Sequence, residues 1–301
     1  GNVWIAGSGG MDAQVLVFTH EGKFVRQIGT AGAAGGSGRA GRATADTAYQ
    51  GVSPGATGAP AAGRGGRGGR GGRGGPPPSM PPNSASMEMF GGATRIAFDA
   101  SGATAFIADG ARNHRVAIVD AMSGKITKVF GAYGNAPSDA PMASYTAGAS
   151  PQQFSDVACV ETSKDGMLYV CDRGNDRIQV FKQDGSFVKE AKVAPATLGE
   201  GSVWDIALSA DANQRYLYVA DGANQKVRIL DRVNLTELTA FGDGGRVPGA
   251  FYAVHSIATD SKGNIYTTET YEGKRVQKFT FGGVGAVTKA NQGVLWPGAG
   301  R

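Results

Sequence analysis

One pattern recurs along this chain and limits its fold more than any other feature. The segments ATAFIADGARNHRVAIVD (103–120), GMLYVCDRGNDRIQVFKQDG (166–185), RYLYVADGANQKVRILDR (215–232) and GNIYTTETYEGKRVQKFT (263–280) are variations on one theme. GNVWIAGSGGMDAQVLVFTHEG (1–22) is a looser fifth copy. The acids Asp172, Asp221 and Glu269 follow one another at intervals of 49 and 48 residues, whereas Asp109 precedes Asp172 by 63, which signals an insertion. Each unit reads as four short strands. The third runs DVACV, a Lys-Asp-Gly turn, MLYVCD, a loop, RIQVF, a Gln-Asp-Gly turn and FVKEA. Runs rich in Val, Ile, Leu, Phe and Tyr, bounded by glycine-containing turns, mark strands. Four-stranded units repeating at this period predict an all-β chain, a β-propeller of four-stranded antiparallel blades, with five repeats visible.

Three of the units, with GARNHRVAIV, RGNDRIQVF and GANQKVRIL, resemble the NHL repeat. The resemblance covers the chain apart from two insertions and the C-terminal tail. It implies a single NHL-type propeller over 1–301, commonly six-bladed when complete. The first unit lacks its innermost strand. The expectation is that an upstream blade completes the ring or that QGVLWP near the C-terminus supplies the absent strand, since an open ring leaves strand edges unpaired.

An acid closes the second strand of four units (Asp109, Asp172, Asp221, Glu269), and a base opens the third (Arg115, Arg177, Lys226, Arg275). A constellation present in four blades is scaffold, each acid holding its own loop and neighbouring base. Function belongs to what is not repeated. Cys159 and Cys171 flank a three-residue turn that sets them opposite one another, within disulfide range. The same slots are expected to hold Ala97 with Ala108, Ala207 with Ala220, and Ala258 with Thr268. A cross-strand disulfide and two buried free thiols are both compatible with that position.

In such a blade the turns between strands one and two, and three and four, leave from one face. The loops between strands two and three, and the blade-to-blade connections, leave from the other. The first set is uniformly short. Both long insertions, 30–92 and 132–153, are blade-to-blade connections, so the elaborations should gather on one face around the channel mouth, where loops on a rigid scaffold carry function. The first insertion is a low-complexity Gly/Arg/Pro-rich segment. It holds six arginines against Asp46 and Glu88, a charge of +4 out of the chain's +5. Within it, GRGGRGGRGGRGGPPP (63–78) places Arg64, Arg67, Arg70 and Arg73 at a three-residue period. In an extended polyproline-II-type helix these would form one row spaced by roughly 9 Å. Such a row suits an acidic protein surface or a polyanion, including neighbouring chains of a larger assembly. RNA binding, known for some NHL propellers, fits less well. Tyr49 is the only aromatic residue between Ala31 and Met89, and stacking platforms for single strands need several.

A further resemblance is enzymatic. FYAVHSIATD (251–260) is similar to a motif of the peptidyl-hydroxyglycine amidating lyase propeller, which implies a channel zinc held by three histidines, with His255 in one ligand slot. The aligned slots hold Thr94, Ser155 and Trp204, so no metal or other cofactor is expected. His255 instead joins Tyr252, Trp204, Asp205 and Arg95 in a channel-mouth pocket. No apolar stretch reaches the ~20 residues of a membrane span. The reading is a non-enzymatic, secreted or periplasmic NHL-type binding or assembly module that docks an acidic partner. The alternatives are a metal-dependent lyase or hydrolase using the channel, and an RNA-binding propeller.

Overall fold

The structure, a computed structural model, describes residues 1–9, 11–30 and 79–285. The arginine row and QGVLWP lie outside the described residues. The described chain is all-β, a five-bladed β-propeller of antiparallel sheets. Blade one comprises β1 (Val3–Ala6), β2 (Val15–Phe18) and β3 (Phe24–Ile28). Blade two comprises β4 (Arg95–Phe98), β5 (Thr104–Asp109), β6 (Arg115–Asp120) and β7 (Ile126–Phe130). Blade three runs β8 (Val157–Thr162), β9 (Met167–Asp172), β10 (Arg177–Lys182) and β11 (Phe187–Lys192). Blade four runs β12 (Asp205–Leu208), β13 (Tyr216–Asp221), β14 (Lys226–Asp231) and β15 (Glu237–Phe241). Blade five has β16 (Val254–Thr259), β17 (Ile265–Glu269) and β18 (Val276–Phe279). Among the described residues no strand pairs with the inner edge of β1 or the outer edge of β18.

Each core lies between successive blades. Phe106, Phe130, Phe154 and Phe181 fill the space between blades two and three. Ile178, Ile206, Leu217 and Val219 do so between three and four. Middle strands are therefore covered on both faces, which is why β6 and β10 read as near-continuous apolar runs. The inner strands β4, β8, β12 and β16 stand side by side. Threonine hydroxyls lace them together: Thr94 donates to the Val157 carbonyl at 2.7 Å, Thr162 to Phe98 at 2.7 Å and Thr259 to Leu208 at 2.8 Å. Gly222 sits where a Cβ would come within 2.6 Å of the Val254 carbonyl and against the Trp204 ring, so this close approach between blades needs glycine.

The repeated acids anchor the loop face. Asp109 accepts the Gly91 N–H (2.7 Å), the Asn113 amide (2.8 Å) and Arg115 Nε (2.8 Å). Asp172 accepts the Ser155 N–H (2.7 Å), the Asn175 amide (2.8 Å) and Arg177 Nε (2.6 Å). Burial pushes the Asp172 carboxyl up to about 6, with the Arg177 charge pulling the other way. Glu269 accepts the Tyr252 N–H (2.9 Å), the Gln277 amide (2.8 Å) and Arg275 Nε (2.6 Å). Each arginine then spends its remaining N–H groups on the incoming connection. Arg115 donates to the carbonyls of Ser84 and Met89, Arg177 to those of Pro151 and Gln153, and Arg275 to that of Ala250.

Two expectations need correction. In blade four the partner of Asp221 is Arg228 (2.6 Å), two residues beyond Lys226, whose ammonium turns to the Gly242 carbonyl instead. The pairing of the inner hairpins is also displaced from the expected alignment. Cys159 does face Cys171, but Ala108 faces Arg95, Ala220 faces Asp205 and Thr268 faces Ser256. The slot is not reserved for small residues. It holds an arginine, a cysteine, an aspartate and a serine in turn, because each hairpin's own turn sets its register, which the closing pairs Phe98–Ala105, Thr162–Leu168, Leu208–Leu217 and Thr259–Ile265 already carry.

Arg177→Met should destabilise the fold by roughly 3–5 kcal/mol, since it strands a buried carboxylate. It should also open 140–153 to protease before global unfolding. Urea denaturation with limited proteolysis checks both; a wild-type cleavage pattern would contradict the clamp.

Candidate functional site

The two insertions meet on the face where the acids work. Residues 79–92 and 132–153 are joined where the Ser84 N–H donates to both carboxylate oxygens of Asp139, at 3.1 and 3.2 Å. The Asn83 N–H donates to the Asn113 side chain at 2.8 Å, which ties the same segment to the loop between β5 and β6. Thr30, the last described residue before the low-complexity run, donates its N–H to the Glu88 carbonyl at 2.7 Å.

At the channel mouth, on the same face, Trp204 is buried under two partners. The Arg173 guanidinium lies 4.8 Å over its ring, and the His255 imidazole meets it edge-on at 5.5 Å. Arg173 is held by Asp156 at 3.0 Å and Glu200 at 2.9 Å. Burial, followed by the positive charge of Arg173, holds His255 below its ordinary value; Asp205 and Asp156 oppose that shift. Burial raises Asp156, with Arg173 acting against it.

One layer deeper, charges cross the axis. Arg95 of blade two reaches Asp205 of blade four at 3.1 Å and Glu161 of blade three at 3.5 Å. The Ile257 N–H of blade five also donates to Asp205, at 3.0 Å. One ion cluster thus ties together four blades. Burial raises both Glu161 and Asp205, and Arg95 counters it in each.

Of the pocket residues expected from sequence, the structure groups Trp204 with His255 and Arg95 with Asp205. Tyr252 stands apart, its ring 5.4 Å under the Arg246 guanidinium. The slot equivalent to His255 in blade three is Ala158, not Ser155, because Cys159 and Ser256 are the equivalent positions. With Thr94, Ala158 and Trp204 in the other slots, a three-histidine zinc set does not fit these residues. Among the described residues no group of three His, Cys, Asp or Glu side chains could hold a metal. The structure joins the sulfurs of Cys159 and Cys171, whose Cα atoms lie 4.9 Å apart, within the core between blades three and four. Arg173 and Glu161 were not singled out from sequence. The available signal was singularity: Glu161 stands in a slot that holds Ala97, Ala207 and Ala258 elsewhere.

No family model matches the chain. Among solved structures it is similar to a hydrazine synthase chain from Kuenenia stuttgartiensis, at 18% identity and a TM-score of 0.44, covering 62% of this chain and 45% of that one. It is also similar to U3-55K, at 13% identity and a TM-score of 0.44, covering 62% and 51% respectively. The chain therefore spans about half the length of these structures or less. No helix among the described residues is long and apolar enough to cross a membrane.

The His255 imidazole should titrate below the ordinary histidine value of about 6.5. Arg173→Gln removes a like charge and should move the midpoint upward. Proton NMR of the imidazole against pH checks both, and a midpoint at or above 6.5 in the unaltered protein would contradict the described packing.

Proposed function

We propose that this chain is a non-enzymatic NHL-type binding or assembly module that works outside the cytoplasm. Its loop face is the docking surface, and Arg64, Arg67, Arg70 and Arg73 engage an acidic protein surface or another polyanion. The observation that carries the reading is the convergence of both insertions on one face through the Ser84–Asp139 contact. The arginine row itself lies outside the described residues, yet the run that contains it departs from Thr30 and returns at Ser79. Thr30 is tied to Glu88, and Ser79 lies four residues before Asn83, so both ends are tethered to this face. Among the described residues, the turns of the opposite face are short.

Three further points support the reading. The repeated acid–base pairs are saturated with structural hydrogen bonds in blades two, three and five. His255 has Trp204 and the Ser256 hydroxyl for company, and among the described residues no second imidazole in the equivalent inner-strand slots. A Cys159–Cys171 bond suits an oxidising compartment.

Heparin serves as a polyanion probe. Serine at all four arginine positions lowers the formal charge from +5 to +1. The variant should elute from immobilised heparin at much lower salt, close to the flow-through, with an unchanged thermal midpoint. Wild-type elution by a folded variant would remove the arginine row from the account.

A further inference from the structure

The inner strands of blades four and five, β12 and β16, stand side by side, but an open trough separates the outer strands. Its volume of about 550 Å³ is within the usual range for small-molecule pockets. Tyr216, Tyr218, Leu238 and Phe241 line it from blade four, and Phe279 and Phe281 from blade five. The accessible lining is mainly apolar, and several of its residues are open to solvent: Leu238 is 44% exposed, Phe281 49% and Val284 69%. Apolar residues exposed singly are ordinary, whereas several gathered on one concave surface mark a binding site.

The polar groups gather at one end. A second cavity of about 450 Å³ adjoins the trough on the short-turn face, and Tyr216, Tyr218 and Phe281 line both. The turns after β12 and β16 bound it and contribute Arg215 and Lys262. Neither side chain forms an ion pair among the described residues, and the Arg215 guanidinium rests 5.4 Å over the Tyr216 ring. The nearby carboxylates are engaged within their own turns. Asp211 accepts the Asn213 and Arg215 N–H groups, and Asp260 accepts the Lys262 N–H, the Asn264 amide and the Tyr266 hydroxyl. The Lys164 ammonium, on the Asp211 carbonyl at 3.3 Å, adds a third positive charge to this end. Tyr218 points most directly to a ligand. It is 6% exposed, and its hydroxyl has no hydrogen-bond partner among the described residues. Burial, followed by the charge of Asp211, raises the phenol above its ordinary value, so it remains a donor. A buried hydroxyl without a partner is costly, and one that lines a cavity calls for an acceptor there.

We propose that the trough binds an amphipathic carboxylic acid, a medium- or long-chain alkanoate, with its carboxylate at the Arg215–Lys262 end and its alkyl chain between Phe241, Phe279 and Phe281. The carboxylate accepts the Tyr218 hydrogen bond and neutralises the unpaired cations, and the chain covers apolar surface that otherwise faces water. The assignment does not depend on the arginine row or the loop face, so its failure would leave the docking reading intact.

Isothermal titration calorimetry of the full 301-residue chain with sodium decanoate tests it. Decylammonium chloride, with the same chain and the opposite charge, and sodium butyrate, with the same head and a short stem, are the controls. Saturable binding of decanoate is expected, with much weaker binding of decylammonium and none of butyrate. Tyr218→Phe should weaken decanoate by about tenfold or more, the loss of one hydrogen bond to a charged group. Arg215→Gln combined with Lys262→Gln should erase the preference for decanoate over decylammonium, while Lys23→Gln, in a turn of blade one, should leave affinity unaltered. Leu238→Asp places a carboxylate in the trough from an exposed position, and should block binding even if the Tyr218 variant fails to fold. Absence of saturable heat, the result if residues 286–301 fill the trough, would overturn the assignment. So would equal binding of decylammonium, or unaltered affinity in folded Tyr218→Phe or Leu238→Asp.

Discussion

A single carboxylate at the end of the second strand governs the architecture of a blade. Asp109, Asp172 and Glu269 each collect three donors: a backbone N–H from the incoming connection, a side-chain amide and an arginine Nε. Taking a charge out of water costs several kcal/mol unless pairing and hydrogen bonds offset it. Here the donors do so, and the same contacts fix the start of the third strand and the path of the chain into the first. Asp109, Asp172, Arg115 and Arg177 are all wholly buried, so no solvent competes for these bonds.

This arrangement explains why the connections can differ so much in length. The clamp specifies only their last few residues, through carbonyls held by Arg115, Arg177 and Arg275. What lies further upstream is free to grow at a small entropic cost per added residue. Blade four shows the converse. Lys226 has no fork to offer, Arg228 takes over the acid, and the short connection before β12 is held instead by Asp176, which accepts the Ser202 N–H at 2.9 Å. Elaboration accumulates ahead of blades two and three, both of which carry the arginine clamp, while blade five carries it on a connection as short as that of blade four.

The repeat made the architecture legible, because strand periodicity and glycine turns recur with nearly constant spacing. The loop face was legible for the same reason, since strand direction alternates in an antiparallel blade. The channel was less so. Simple counting back from the turns put Ala97, Ala207 and Ala258 opposite Ala108, Ala220 and Thr268. The actual partners are Arg95, Asp205 and Ser256, and the difference is already present in the pairs that close each turn, Phe98–Ala105, Leu208–Leu217 and Thr259–Ile265. How many residues a hairpin turn leaves unpaired depends on its backbone geometry, which residue identity only weakly encodes. The reach of Arg95 across the axis to Asp205, 110 positions away, has no local signature at all. Arg173 was hidden for a different reason. It directly follows a repeated acid, at a position that holds Gly110 and Gly222 in neighbouring blades, and no motif marks it.

The account rests on the carboxylates as anchors of the connections, and hydrogen exchange of three backbone amides tests that most directly. Gly91, Ser155 and Tyr252 lie outside regular strands, yet each donates to a clamping carboxylate. Their amide protons should exchange as slowly as those of the middle strands, and Asp172→Asn should speed exchange at Ser155 while sparing Gly91 and Tyr252. Exchange of all three at the rate of exposed loop amides in the unaltered protein would contradict the central claim.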